Sequence, residues 1–368
     1  VSLLDRYVAK EVLLPFGAGL LFLTQILLAT QVLAQAQILF GSGVSLWDVL
    51  KVIGLLTPHI LGFILPIAFL LGAVIGVGRL AEDREIIAIG AAGLSPVRLL
   101  RVPLAIGVAG AAVALWIALS VEPAAIQSAR LLLNEIIKRN VMSDVKSGVF
   151  YDDIPGYTLY AERVRGGRWE NVLISDRSDP DSAVLALAQR GRFEPAAAGE
   201  AMQLALASGE IHREEAASDE YAVADYDRAT FLVNVRQTLG DRNRLKGVSA
   251  AYTVGDLLEL ARTAKKPEDA RRWLGFLHRK VAQALSLIPF ALLAVPLAAS
   301  RRGGRAFAVG ATLGVVVVHY LLLRSGEVMA QRGALPAAVA LQLPTVVLSL
   351  AGIVALTLLA RRGTGAVR

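Results

Sequence analysis

Six stretches of the chain stay apolar for about 20 residues or more, the length that crosses a bilayer. They run approximately over 12–38, 52–78, 99–121, 278–299, 305–325 and 335–360. The fourth and fifth are separated only by "SRRGGR", a tight basic turn. Between the third and fourth lies a long mixed segment, about 122–275. Its start, "EPAAIQSARLLLNEIIKRNVM", reads as helix continuing out of the third span.

The period then changes. "YTLYAERV" (157–164), "ENVLIS" (170–175), "AVLALA" (183–188), "MQLALASGEIHRE" (202–214) and "ATFLVNV" (229–235) are short and β-leaning. Gly-Gly at 166–167, Asp-Pro at 179–180 and Ser-Gly at 208–209 punctuate them. Several short strands at such spacing predict a sandwich or jelly roll. "TVGDLLELARTAKKPEDARRWLGFLHRK" returns to helix and leads into the fourth span. Thr253 is placed to cap it, with Asp256 three residues on. The fold expected is a membrane α-helical bundle of six transmembrane helices plus an extracytoplasmic all-β, jelly-roll-like domain. Its parts are 1–121 with three spans, 122–275 with the β domain and flanking helices, and 276–368 with three more spans.

Composition agrees with the pattern. Of 368 residues, 55% are hydrophobic and only 19% charged, less charge than a soluble chain of this length carries. Cysteine is absent, which excludes a disulfide framework and a Cys-based zinc site. The net charge of +7 would suit nucleic acid, but most basic residues flank the spans and read as topology signals. "AQA" at 34–36 has the look of a signal cleavage site. The apolar run before it is about twice a normal signal core, and "LDRYVAKE" ahead of it is balanced in charge, so the first span is expected to stay.

Lys and Arg in short loops set the orientation. With the N-terminus in the cytoplasm, that side holds Arg6, Lys10, Arg79, Arg84, Arg98, Arg101, Arg301, Arg302, Arg305, Arg361, Arg362 and Arg368. The short loops opposite hold only Lys51 and Arg332, with Arg324 near the edge. Both termini are therefore expected in the cytoplasm and the β domain outside.

Chemistry is sparse. The chain has no G-x-x-x-x-G-K-[ST], no H-E-x-x-H and no G-x-S-x-G. His59, His212, His278 and His319 are scattered without metal spacing. No catalytic residue, metal site or bound cofactor is expected.

Polar residues in and beside the spans say more. Gln31 and Gln35 are four apart and share a helix face. A polar face is costly in lipid, so it should turn to a neighbouring helix or line a wet cavity. Pro58, Pro66, Pro289 and Pro296 should bend the second and fourth spans. Arg324, with Glu327 three residues on, reads as a local ion pair or a contact to an anionic headgroup. Arg271, Arg272, Arg279 and Lys280 cluster at the outer mouth of span four, against the positive-inside trend. They read either as a solvated helix face or as a seat for a phosphate-rich lipid.

One loop stands apart. "RLAEDREIIAIGAAGLSP" (79–96) carries three acids and two arginines, yet keeps an apolar stripe through Ile86, Ile87 and Ile89. A helix lying on an anionic cytoplasmic leaflet favours Lys and Arg, so the acids argue for a protein contact.

The whole pattern resembles the lipopolysaccharide export permeases, the LptF/LptG family. "LDRYVAKEVL", "LPIAFLLGAVIGVGRLAEDREIIAIGAAGLSP", "GVFYDDIPGYTLYAERV" and "LHRKVAQALSLIPFALLAVPLAASRRGGR" carry the likeness, which spans essentially the whole chain. The E-I-x-x-x-x-A-x-G-[LF]-S pattern in the loop is its most specific part, and "LAVPL" before a Gly-Arg turn leans toward the LptF half. The resemblance implies the non-catalytic membrane subunit of an ABC exporter in a bacterial inner membrane. Its partners would be an LptB-type ATPase dimer, a paralogous LptG-type permease, LptC and LptA-type periplasmic jelly-roll proteins, and lipopolysaccharide, with no nucleic acid. This chain would bind no cofactor; ATP and Mg would be used by the partner ATPase. The segment of about 82–92 would be the coupling helix. Glu82, Arg84 and Glu85 would meet a groove of the ATPase, and Ile86 and Ile89 would seat the apolar side. Gln31, Gln35, Arg279, Lys280 and Arg324 are the candidate lipid contacts.

Two departures stand out. The family often has basic residues near the outer end of span one, where this chain has the uncharged "ATQVLAQAQ". It often has an acid just before span four, where this chain has Phe276. The rival readings are an ATP-independent lipid transporter and a membrane-anchored periplasmic scaffold. The first calls for acids inside the spans, and almost none occur.

Overall fold

The structure is a computed structural model that describes residues 2–34, 39, 44–92, 94, 96–144, 147–154, 156–177, 182–195, 202–215, 221–233, 249–299 and 304–362. Gln35 lies outside them. Two compact units emerge: Val1–Gln31, Gly54–Gln127 and Ser249–Arg368 form one, and Val32–Ile53 with Ser128–Val248 the other.

The membrane-spanning helices are long because each holds an extended apolar run whose backbone bonds close within the segment. The helices begin with α1 (Leu3–Ala34), α2 (Leu46–Glu82) and the short α3 (Glu85–Ala91). After a 3-10 turn come α4 (Arg101–Trp116), a π-helical turn over Ile117–Val121 and α5 (Glu122–Asp144). Then follow α6 (Val254–Thr263), α7 (Pro267–Leu285), α8 (Leu287–Ala298), α9 (Gly304–Gln331), α10 (Ala337–Ala340) and α11 (Leu343–Arg362). Six helical spans among the described residues are long and apolar enough to cross a membrane, and they coincide with the six expected from sequence. α6 opens with the expected capping box: Asp256 N–H donates to Thr253 Oγ1 at 3.2 Å, and Thr253 N–H to Asp256 Oδ2 at 2.9 Å.

Small residues let the spans approach closely. A Cβ on Gly72 would meet the Phe16 backbone of α1, and one on Gly76 the Glu11 carbonyl. Gly107 lies against the Leu287 carbonyl and Ala291, and Gly352 against Leu292. Around these contacts a core forms from Phe69, Leu70, Val74, Val77, Phe290, Ala294 and Val295. Span four pauses at Ser286 between α7 and α8. Pro289 lacks the N–H that would bond the Leu285 carbonyl, which is the physical reason for the break.

The second unit holds an antiparallel sheet in the order β1-β2-β3-β4-β5-β6. The strands are β1 (Tyr151–Ile154), β2 (Tyr157–Arg165), β3 (Arg168–Asp176), β4 (Ser182–Pro195), β5 (Met202–Glu215) and β6 (Tyr221–Val233). The expected β domain between the two sets of spans is therefore present. Among the described strands each pairs with its neighbour in sequence, as a meander without a crossover. Gly166 and Gly167, at φ 56° and 76°, make the tight turn that pairs Arg165 with Arg168.

Ser208-Gly209, in contrast, is not a turn but the middle of β5. There a Cβ on Gly209 would collide with the Leu187 carbonyl, and the Tyr226 hydroxyl donates to that same carbonyl at 2.8 Å. Leu159, Ala161, Trp169, Val172, Ile174, Ala186, Leu204 and Leu206 form the buried face.

Candidate functional site

α2 runs as one helix into the acidic loop and stops at Glu82. The stop is made by Arg84, whose φ of 60° is left-handed and breaks the helical path. Asp83 N–H still bonds the Arg79 carbonyl at 3.0 Å, and Ile87 N–H already bonds the Arg84 carbonyl at 3.1 Å, so the chain changes helix within one residue. The resulting α3, Glu85–Ala91, is shorter than the 82–92 read from sequence.

This turn sets the phase of α3. Ile86 is buried in the bundle core with Leu80 and Leu99, and Ile89 packs against the same cluster. Ile87 is the isoleucine left 40% exposed. The two isoleucines expected to face a partner therefore anchor α3 to its own bundle. The exposed face carries Glu82, Asp83, Arg84, Ile87 and Ala88.

Glu85 sits between the two roles. It is half-buried, and Tyr7 Oη on α1 donates to its Oε1 at 2.9 Å. A second tie joins α1 to the end of α2, Arg79 Nη1 to Glu11 Oε2 at 3.3 Å. Tyr7 carried no signal in the sequence as a member of this site, because its partner lies far along the chain.

The candidate lipid contacts separate into three groups. Arg324, with 71% of its side chain exposed, pairs with Glu327 Oε2 at 2.7 Å. Arg279 takes the other oxygen of the same carboxylate at 3.3 Å, reaches Ser249 Oγ at 3.5 Å, and lies over the Phe276 ring. Two guanidinium groups thus share one acid, and a positive surplus remains beside it. Lys280 is different: its side chain is buried, and its ammonium meets Glu122 Oε2 at 3.2 Å and the carbonyls of Ala118 and Ala250 at 3.1 Å each. Gln31 is half-buried on α1. Gln35 lies outside the described residues.

Sequence reasoning passed over Glu122, although "SVEP" places an acid at the very end of an apolar run. It read His59 only as one of four scattered histidines, whereas its Nδ1 lies 2.6 Å from Glu122 Oε1. Among the described residues no group of His, Asp or Glu is placed to hold a metal ion.

A family model described as lipopolysaccharide export system permease LptF/LptG matches residues 6–360. The chain belongs to the LptF/LptG family. No curated protein matches it. As an LptF/LptG permease, it is an integral membrane protein of lipopolysaccharide export.

Proposed function

We propose that this chain is the LptF-like permease subunit of an ABC exporter in a bacterial inner membrane. It lifts lipopolysaccharide from the outer leaflet and passes it to a periplasmic bridge. The observation that carries the reading is the α2–α3 turn: an acidic, firmly anchored helix that keeps Glu82, Asp83, Arg84 and Ile87 on its exposed face. Three features support a mechanical role. Ile86 and Ile89 fix α3 to the core, Tyr7 of α1 holds Glu85 while Glu11 of α1 holds Arg79 at the end of α2, and α2 runs from the turn through the bundle. A push on such a helix moves whole spans as a rigid body.

In this reading the pushing partner is an LptB-type ATPase dimer that binds ATP and Mg. Glu82, Arg84, Glu85 and Ile87 make the contact. A paralogous LptG-type permease completes the cavity, and LptC and LptA-type proteins continue from the β domain. The termini and the α2–α3 turn are cytoplasmic, and the sheet is periplasmic.

The lipid meets α1 and α9. Both leave apolar side chains exposed, among them Leu14, Leu21 and Phe22 on α1, and Leu313, Val317 and Leu321 on α9. Acyl chains suit these faces, and the surplus charge of Arg279 and Arg324 suits phosphate. Gln31 adds a hydrogen-bond donor on α1 without charge.

The test is purification in mild detergent from the native membrane, followed by identification of co-purifying proteins and lipid. A P-loop ATPase, a second six-span permease and bound lipopolysaccharide are expected. A stable lone chain carrying only bulk phospholipid would contradict the reading.

A further inference from the structure

The bundle holds an ionic joint that the coupling turn does not account for. Glu122 stands at the junction of the π-helical turn and α5. One carboxylate oxygen meets Lys280 of α7 at 3.2 Å, and the other meets His59 of α2 at 2.6 Å. The Lys280 ammonium spends its other two protons on the Ala118 carbonyl, inside the π turn, and on the Ala250 carbonyl. All three ammonium protons and both carboxylate oxygens are thereby occupied. Glu122 and Lys280 are about nine-tenths buried, whereas 40% of the His59 side chain is exposed.

The parts of the joint are unequal, and that inequality is informative. Neutralising a buried ammonium needs one carboxylate, and Glu122 supplies it. His59 is not required for that purpose. It is the member that brings in α2, the helix that ends in the α2–α3 turn. A π turn interrupts span three beside the joint, a feature that recurs at functional positions in helices. Buried ionic groups within spans are expensive and are kept where they do something.

We propose that Glu122 is a positioning residue of the transport cycle, joining α2 through His59 to α7 through Lys280, so that displacement of α2 is passed to the fourth span. This rests on the exporter reading above. In it, the cytoplasmic turn receives the push and the joint at Glu122 relays it across the bundle to α7, the helix that carries Arg279. A plain structural staple would hold the same residues together but would not care which helix moves.

The experiment uses the assembled complex in liposomes. It compares wild type, His59→Asn, Glu122→Gln and Glu122→Gln/Lys280→Met for thermal midpoint, ATP hydrolysis and ATP-driven lipopolysaccharide release. His59→Asn leaves the Lys280–Glu122 pair intact and should fold and hydrolyse ATP as wild type, yet release lipid about fivefold more slowly or worse. Glu122→Gln strands a buried ammonium and should lower the thermal midpoint. The double variant removes that charge and should recover the midpoint without recovering release. Full release by His59→Asn, or recovery of release together with stability in the double variant, would overturn the proposal and leave a staple. Failure of the wild-type complex to release lipid would instead overturn the exporter reading, and is distinguishable because it precedes any substitution.

Discussion

Tyr7, the fifth residue of α1, donates a hydrogen bond of 2.9 Å to Glu85 at the start of α3, 78 residues away. The contact is exposed, so it contributes modestly, but it fixes where one carboxylate oxygen points. Arg79 and Glu11 make a second bond between the same two regions. The end of α2 is thus held from α1 as well as from the core. Removing the hydroxyl in Tyr7→Phe should change the unfolding midpoint little. The chain should fold normally, and binding of the purified ATPase, followed by titration in detergent, should weaken by about fivefold at most.

Ile86 and Ile87 should behave oppositely. Ile86→Ala opens a cavity beneath α3 and should lower stability by about 2–4 kcal/mol, visible as a lower unfolding midpoint. Ile87→Asp lies on the exposed face and should leave the midpoint unchanged while reducing ATPase association. Loss of stability in Ile87→Asp with none in Ile86→Ala would reverse the assigned phase of α3.

Gly72 and Gly76 set the approach of α1 to α2. A methyl group at either would press on the α1 backbone, which has no rotamer to yield. Gly76→Ala should therefore destabilise the bundle by about 1–3 kcal/mol, measured by thermal unfolding in detergent. Gly62→Ala, on the same helix, meets nothing nearby and serves as the control.

Legibility followed the range of the interactions. The six spans were plain because each is a local run of apolar residues, and the Thr253 cap because its partner is three residues on. β1 was missed, and β4 and β6 read short. β6 opens with "YAVADYD", whose Asp225 and Asp227 look like loop residues until Asp225 is seen opposite Glu210, with Tyr226 opposite Gly209 and Arg228 opposite Ala207. Ser208-Gly209 read as a turn because the need for glycine came from the Leu187 carbonyl of another strand. The coupling segment was legible as an acidic amphipathic stretch, but its phase depended on the left-handed Arg84, which residue type does not announce. Lys280 read as a free cation because Glu122 belongs to a different span.

The capping box gives a pH dependence with a definite sign. The N–H of Thr253 first, and its hydroxyl second, hold the Asp256 carboxyl below its ordinary value of 3.8. A carboxyl lowered by folding stabilises above its unfolded pKa, and that contribution disappears as pH falls through the lowered value. Helicity of α6 should therefore weaken on acidification below the ordinary value, and Asp256→Asn should flatten this acid limb. Thr253→Ala should cost about 1 kcal/mol at neutral pH. Amide hydrogen exchange over 254–263 reads both effects.

The shared acid Glu327 makes a prediction about lipid. Arg324→Glu places a second carboxylate beside it and reverses the surplus charge. Photo-crosslinking of lipopolysaccharide to the bundle should fall by about tenfold, the effect of losing a charge-assisted hydrogen bond to phosphate. Arg271→Ala removes a cation already bonded to the Gln331 carbonyl and should change crosslinking little.

The most direct test of the central claim is ATP-driven release of lipopolysaccharide from liposomes containing the complex with wild-type chain or with Glu85→Lys. The account predicts that the Glu85→Lys chain folds, retains lipid binding, and loses ATPase association and release together. Normal assembly and release by Glu85→Lys would contradict it and return the α2–α3 turn to the status of an ordinary loop.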